Sequence, residues 1–394
     1  MNEQQIKASL ASHAASPEVS IREYIDGLVA KLGDSIAGRH KLYLDTCYWI
    51  HLRNAAMGRP RHPDHREILD RVRFLVSTGA AVCPVSDVAW MELSKQSDPE
   101  TRLATADLLD ELSLGVAIMT ERERVIAELE ELITSPIIAG PTPILKDRVW
   151  VKAGYALGIS IPTIKEWSRK HNLLVQKASV DIFWQISHRE ITDTTSALPP
   201  MPAPWEETAA KITASMQHYA HEIRSIQQAF SAESAGALRV FSEEIQVLVL
   251  RHFRSATGDH RSIPKEQADR VCQKWLTVLI NAFRLRPKFM AQRIPSLYAY
   301  AMCHAAVRMD KSRKFNGHDL LDIHHASSGI PYHDAVFTEN PLRVLVTAGN
   351  VALDKTFSCS VLAKESEVLN YLRKLSDAPF VTGYPDNWAQ GRQR

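Results

Sequence analysis

Two short apolar runs, each stopping at a polar residue, constrain this chain most. Leu42, Tyr43 and Leu44 end in Asp45, and the run at 80–85, AAVCPV, ends in Ser86. Apolar runs this short and without alternation read as strands covered on both faces, and so as part of a parallel sheet with helices on either side. The intervening text agrees. Residues 48–52 have a helical pattern, 58–63 are loop-like, and 68–76 carry apolar residues at i, i+3 and i+4. Ser86 is a good N-cap for a helix that carries Trp90, Leu93 and, in an early turn, Glu92. A helix over 103–112, a third strand over 115–119 and a helix over 125–133 extend the alternation to about residue 138. Upstream, Ile21, Ile25, Leu28, Val29 and Leu32 predict a leader helix over 19–32, stopped by Gly33.

The pattern then changes. After SPIIAGPTP, helical periodicity dominates to about residue 295, most clearly over 209–230, 237–253 and 265–283, with loop text such as LPPMPAPW and SATGDHRSIP between. Strand text returns at 335–338 and 343–346, preceded by helices over 297–309 and 320–326 and followed by a last helix over 366–375. The expected architecture is therefore an α/β core discontinuous in sequence, residues 1–138 and 296–394, interrupted by an all-helical insertion at 139–295.

Composition narrows the class without naming a partner. With 394 residues, 45% hydrophobic and 23% charged, the chain buries an ordinary globular core. A net charge of +2 is too small to announce nucleic acid. The five cysteines, Cys47, Cys83, Cys272, Cys303 and Cys359, form no CxxC pair, which fits a reducing compartment. The first twenty residues have neither a basic nor an apolar signal region, and no stretch approaches the roughly 18 apolar residues of a membrane span. A soluble, cytoplasmic protein with no membrane partner is expected.

Carboxylates recur at the ends of these elements. Asp45 follows the first strand and Glu92 the second; Asp319 and Asp322 open a helix; Asp334 and Glu339 flank the late strand. Asp319 and Asp322, three apart, share a helix face, and Asn316 with Gly317 offers the cap or turn that starts it. Carboxylates crowded together repel one another and cost stability unless a cation neutralises them. Oxygen ligands without cysteine favour Mg²⁺ or Mn²⁺, which retain waters and take phosphate oxygens. Such ions activate water for in-line attack at phosphorus and stabilise the leaving oxygen.

Three segments, YLDTCYWIHL, PVSDVAWMEL and NGHDLLDIHHASSGIPYHDAVFTEN, resemble in order and context the acidic motifs of PIN-like ribonuclease domains. The resemblance implies a three-layer α/β sandwich with a central, mostly parallel sheet. It also implies a metal site on Asp45, Glu92, and Asp319 or Asp322, with Thr46 and Thr338 as supporting hydroxyls. Where the family usually has a final Asp this chain has Glu339, and Asp334 lies just before the strand, so the two divide the last position. The implied activity is metal-dependent endoribonucleolytic cleavage, on single-stranded rather than duplex RNA, with DNA as a further substrate, in toxin, defence or RNA-processing roles. The helical insertion lies outside the resemblance and is open to dimerisation or to a regulatory partner.

Plainer readings stand beside these. Asp45 suits a helix N-cap, Glu92 a solvated helix position, and Asp319 and Asp322 a helix N-terminus favoured by the dipole. His324 and His325 read as structural groups of a packed helix. Lys311, Arg313 and Lys314 are placed either to hold a phosphate backbone or to be solvated loop. Trp150, Trp167, Trp184, Trp205 and Trp275 fit a core better than a base-stacking platform. The dipeptide His318-Asp319 also occurs in HD-type phosphohydrolases, whose all-helical site the strands beside Asp45 and Asp334 speak against. A degenerate PIN-like domain that binds RNA or protein is the non-enzymatic alternative.

Overall fold

The computed structural model describes residues 3–134, 144–157, 161–195, 205–218, 221–258, 263–310 and 315–377. The protein is mixed α/β, mostly helical, with few and short strands. It divides into two compact units, one formed by residues 1–120, 146–200 and 362–394, the other by 121–145 and 201–361.

The first unit opens with α1 (Glu3–Ala15) and α2 (Ile21–Ile36), followed by β1 (His40–Leu44), α3 (Thr46–Ala56), α4 (Asp64–Ser77), β2 (Ala81–Val82), α5 (Asp87–Leu93), α6 (Pro99–Ser113) and β3 (Val116–Ile118). Strands β1 and β2 pair in parallel, His40 opposite Ala81 and Lys41 opposite Val82. Leu42, Tyr43, Leu44, Ala81 and Val82 are fully buried, as a strand covered on both faces requires. The expected strand over 80–85 is shortened because Cys83 and Val85 turn their N–H groups away, to Leu112 O and Val116 O.

Two expectations for this unit need correction. The third strand does not extend the parallel pair. It pairs antiparallel with β4 (Trp150–Lys152), a strand inside the stretch read as helical, and reaches the β2 segment only through a bridge from Val85 to Ala117. The run Val149-Trp150-Val151, fully buried, is too short to carry a period and so gave no strand signal. Secondly, α2 does not stop at Gly33. A Cβ there would lie 2.0 Å from the Asp147 carbonyl oxygen, so the glycine serves close backbone approach rather than termination. Ahead of the leader helix, where the sequence assigned no element, α1 is held by polar anchors. Ser9 Oγ donates to Asp181 Oδ2 at 2.5 Å and His13 Nε2 lies 2.9 Å from the same oxygen, while Tyr24 OH of α2 donates to Asp181 Oδ1. A helix fixed this way has no apolar stripe to read.

In the second unit the helix Ile226–Val240 packs on Pro295–Met309, which packs in turn on Gly317–Gly329. Helix Lys265–Leu285 covers Ile226–Val240 and Ser242–Thr257, with Phe230 stacking edge-on against Tyr298 at 5.1 Å and lying 6.0 Å from Phe283. The expected helix over 209–230 is two, Trp205–His218 and Ile226–Val240, the second begun by Ser225, whose hydroxyl accepts from Gln228 N. The expected helix over 237–253 is shifted to Ser242–Thr257, its first residues belonging to the helix before.

Strand β5 (Ala335–Phe337) matches expectation and neighbours β6 (Ser360–Leu362), with Ser360 N donating to Asp334 O at 3.0 Å. The strand expected over 343–346 is instead the helix Asn340–Thr347. Pro341 fits its first turn, and Leu342 and Val346, four apart, are buried while Val344 is 60% exposed. Burial at i and i+4 decided against the β-branched composition of the run.

Candidate functional site

Asp45 is the residue at which β1 ends, with extended backbone (φ −65°, ψ 160°) that makes it the N-cap of α3. Its carbonyl accepts from Tyr48 N and Trp49 N, and its Oδ1 accepts from Thr46 N at 2.6 Å. The side chain is 6% exposed. The cap expected of an Asp here is thus present, and it leaves the carboxylate at the carboxyl end of a buried parallel strand, where α/β sheets bind ligands.

Glu92 reaches the same edge by another route. Tyr43 on β1 hydrogen-bonds Ser86 Oγ at 2.8 Å in the buried interior, and Ser86 caps α5 by accepting from Ala89 N. This link pins the start of α5 to β1, so the seven-residue helix carries Glu92, its penultimate residue rather than an early one, back toward Asp45. There Thr46 Oγ1 donates to Glu92 Oε2 at 2.6 Å. Thr46 therefore couples the two carboxylates through one residue, its N–H on Asp45 and its hydroxyl on Glu92. The ligand atoms that Asp45 and Glu92 themselves offer are oxygens, which suit a hard divalent cation. The sequence suggested Thr46 as a supporting hydroxyl; Tyr43 and Ser86, which orient Glu92, it read only as strand and cap.

The carboxylates of the second unit are placed differently from one another. Asp319 is 5% exposed and closes a capping box: Asn316 Oδ1 accepts from Asp319 N and Asp319 Oδ2 accepts from Asn316 N, both at 3.0 Å. One of its oxygens is thus committed to starting the helix Gly317–Gly329; the cap at Asn316 was expected, the reciprocal bond from Asp319 was not. Gly317 N donates to Glu206 Oε1 at 3.1 Å, and a Cβ at Gly317 would lie 2.5 Å from that oxygen. Asp322, one turn on, is half-buried.

Asp334 and Glu339 lie at opposite ends of β5 and are both exposed. Five extended residue steps separate them by roughly 16 Å, so one ion cannot take both. Glu339 stands past the carboxyl end of its strand, the ligand-bearing end, and Thr338 beside it is fully buried. His325 is 1% exposed. His324 Nδ1 pairs with Glu121 Oε2 at 2.5 Å between the rings of Trp205 and Tyr300, a structural setting for that ring. Lys311, Arg313 and Lys314 lie outside the described residues. Among the described residues no helix is long and apolar enough to cross a membrane. No known protein family matches the chain, and neither a curated protein nor a solved structure is found similar to it.

Proposed function

We propose that this chain is a metal-dependent nuclease of the PIN-like kind, an endoribonuclease that holds Mg²⁺ or Mn²⁺ through Asp45 and Glu92. The observation that carries the reading is the Asp45–Thr46–Glu92 linkage at the carboxyl end of β1. Mg²⁺ is commonly held by one or two protein carboxylates, with waters and substrate phosphate oxygens completing its shell, so this pair meets the minimum. Asp45 supplies a ligand oxygen fixed by its own cap. Glu92 supplies a second and is placed to accept a proton from an attacking water, while Thr46 fixes the orientation of both. The ion contributes positive charge for the attacking water and the departing oxygen at phosphorus.

Asp319, Asp322 and Glu339 are further candidates for ligand oxygens within the same reading, with Thr338 supporting Glu339. Asp334 is set aside in favour of Glu339 by its place at the other end of β5. Lys311, Arg313 and Lys314 are proposed phosphate contacts. The three-layer sandwich and the preference for single-stranded RNA over DNA rest on the motif resemblance.

The test is cleavage of labelled single-stranded RNA and DNA with Mn²⁺. Asp45→Asn and Glu92→Gln are each expected to lower the rate by at least about 100-fold. Cleavage unchanged in Asp45→Asn, or independent of divalent metal, would overturn the proposal. Asp322→Asn in the same assay reports whether that carboxylate takes part.

A further inference from the structure

A second cluster of metal-ligating side chains occupies the first unit. His51 lies on α3, His65 in the first turn of α4, and Glu365 opens the helix Glu365–Asp377, which packs along α4. Each offers one ligand atom within 4.8 Å of the others. His65 is 2% exposed and its Nε2 lies 3.3 Å from Glu365 Oε1. The rings of His51 and His65 are stacked, centroids 4.2 Å apart and planes 16° from parallel.

An ion pair between His65 and Glu365 accounts for only part of this. The Nδ1 atoms of both His51 and His65 are closed off from solvent and meet no hydrogen-bond partner. Buried imidazole nitrogens are ordinarily satisfied, and two bare ones in a stacked pair forfeit hydration with nothing in return. Burial, with the neighbouring His65, pushes the His51 pKa down, which keeps that ring neutral and its lone pair available. Burial would raise the Glu365 carboxyl, yet its own backbone N–H and His65 outweigh that and hold it anionic.

We propose that His51, His65 and Glu365 form a transition-metal site for Zn²⁺ or a similar borderline dication, fastening the helix Glu365–Asp377 to α3 and α4. Two nitrogens and one oxygen suit such an ion, whereas the all-oxygen pair of Asp45 and Glu92 suits Mg²⁺ or Mn²⁺. Tetrahedral zinc with bonds of about 2.0 Å spaces its ligand atoms about 3.3 Å apart, so binding draws together atoms that lie within 4.8 Å of one another and turns the stacked rings so that both in-plane lone pairs meet the ion. Water fills the fourth position, or His62, whose ring centroid is 5.6 Å from that of His65. The site does not depend on the nuclease reading.

The test is titration of the metal-stripped full chain with Co²⁺, whose visible absorption reports low-coordinate nitrogen and oxygen ligation, followed by Zn²⁺ as competitor. One equivalent is expected to bind, to be displaced by Zn²⁺ and to resist excess Mg²⁺. His51→Gln and Glu365→Gln, folded by circular dichroism, should each weaken binding at least about tenfold, and Asp45→Asn should leave the titration unchanged. Absence of a stoichiometric Co²⁺ signal, wild-type affinity in both variants, or loss of the signal in Asp45→Asn would each overturn the site. Should a variant fail to fold, the wild-type stoichiometry and Zn²⁺ competition decide.

Discussion

Glu128 shows what burial does to one side chain of the second unit. It accepts from Ser296 N at 3.1 Å and from Tyr332 OH at 2.5 Å, beside the fully buried Arg124, which donates to the hydroxyls of Ser296 and Ser328. Burial nevertheless pushes its pKa from 4.5 to about 7. Between those values the folded chain holds a proton that the unfolded chain has lost. The stability it contributes is full below pH 4.5 and is lost as pH rises through 7. Glu128→Gln should flatten that slope, roughly 3 kcal/mol across the window, in denaturant midpoints measured on either side of it; an unchanged slope would refute it. Thr46 makes a second prediction at this scale. Thr46→Val keeps the N–H on Asp45 but removes the hydroxyl from Glu92, so nuclease activity should fall about 10- to 100-fold, the cost usual for groups that orient metal ligands, while the fold persists by circular dichroism.

The two glycines of α2 separate propensity from packing. A Cβ added at Gly27 would meet nothing within 4 Å, whereas at Gly33 the Asp147 carbonyl stands at 2.0 Å. Gly27→Ala should therefore stabilise the protein by up to about 1 kcal/mol, and Gly33→Ala should destabilise it by about 1–3 kcal/mol, both read from thermal melts. Equal effects of the two would mean that α2 does not rest on the 147 segment. The segment 340–347 teaches the converse. Its Val-rich text favours a strand, yet Leu342 and Val346 bury at helical spacing, and packing overrode composition.

For the molecule as a whole, ligand linkage is the readout. An ion that binds only the folded chain adds about 2.7 kcal/mol at a hundred times its Kd. Mn²⁺ at millimolar concentration should raise the melting midpoint by several degrees, and the rise should shrink in Asp45→Asn. A midpoint indifferent to Mn²⁺ would count against the carboxylate site. Zn²⁺ should raise it through the separate set of His51, His65 and Glu365, and there Asp45→Asn should make no difference.

The amino-acid order by itself determined the local elements that depend on neighbours in sequence. The apolar run ending at Asp45, the Ser86 cap, the cap at Asn316 and the amphipathic helices were legible because periodicity and capping act over three or four residues. It also singled out Asp45, Thr46 and Glu92. Only the tertiary structure decided that β3 pairs with β4, that Gly33 serves contact rather than termination, and that Asp334 and Glu339 face opposite ends of one strand. The meeting of His51 and His65 with Glu365, some 300 positions away, left no trace in any local pattern. Long-range contacts are fixed by burial and packing of whole elements, and those energies belong to no window of the sequence.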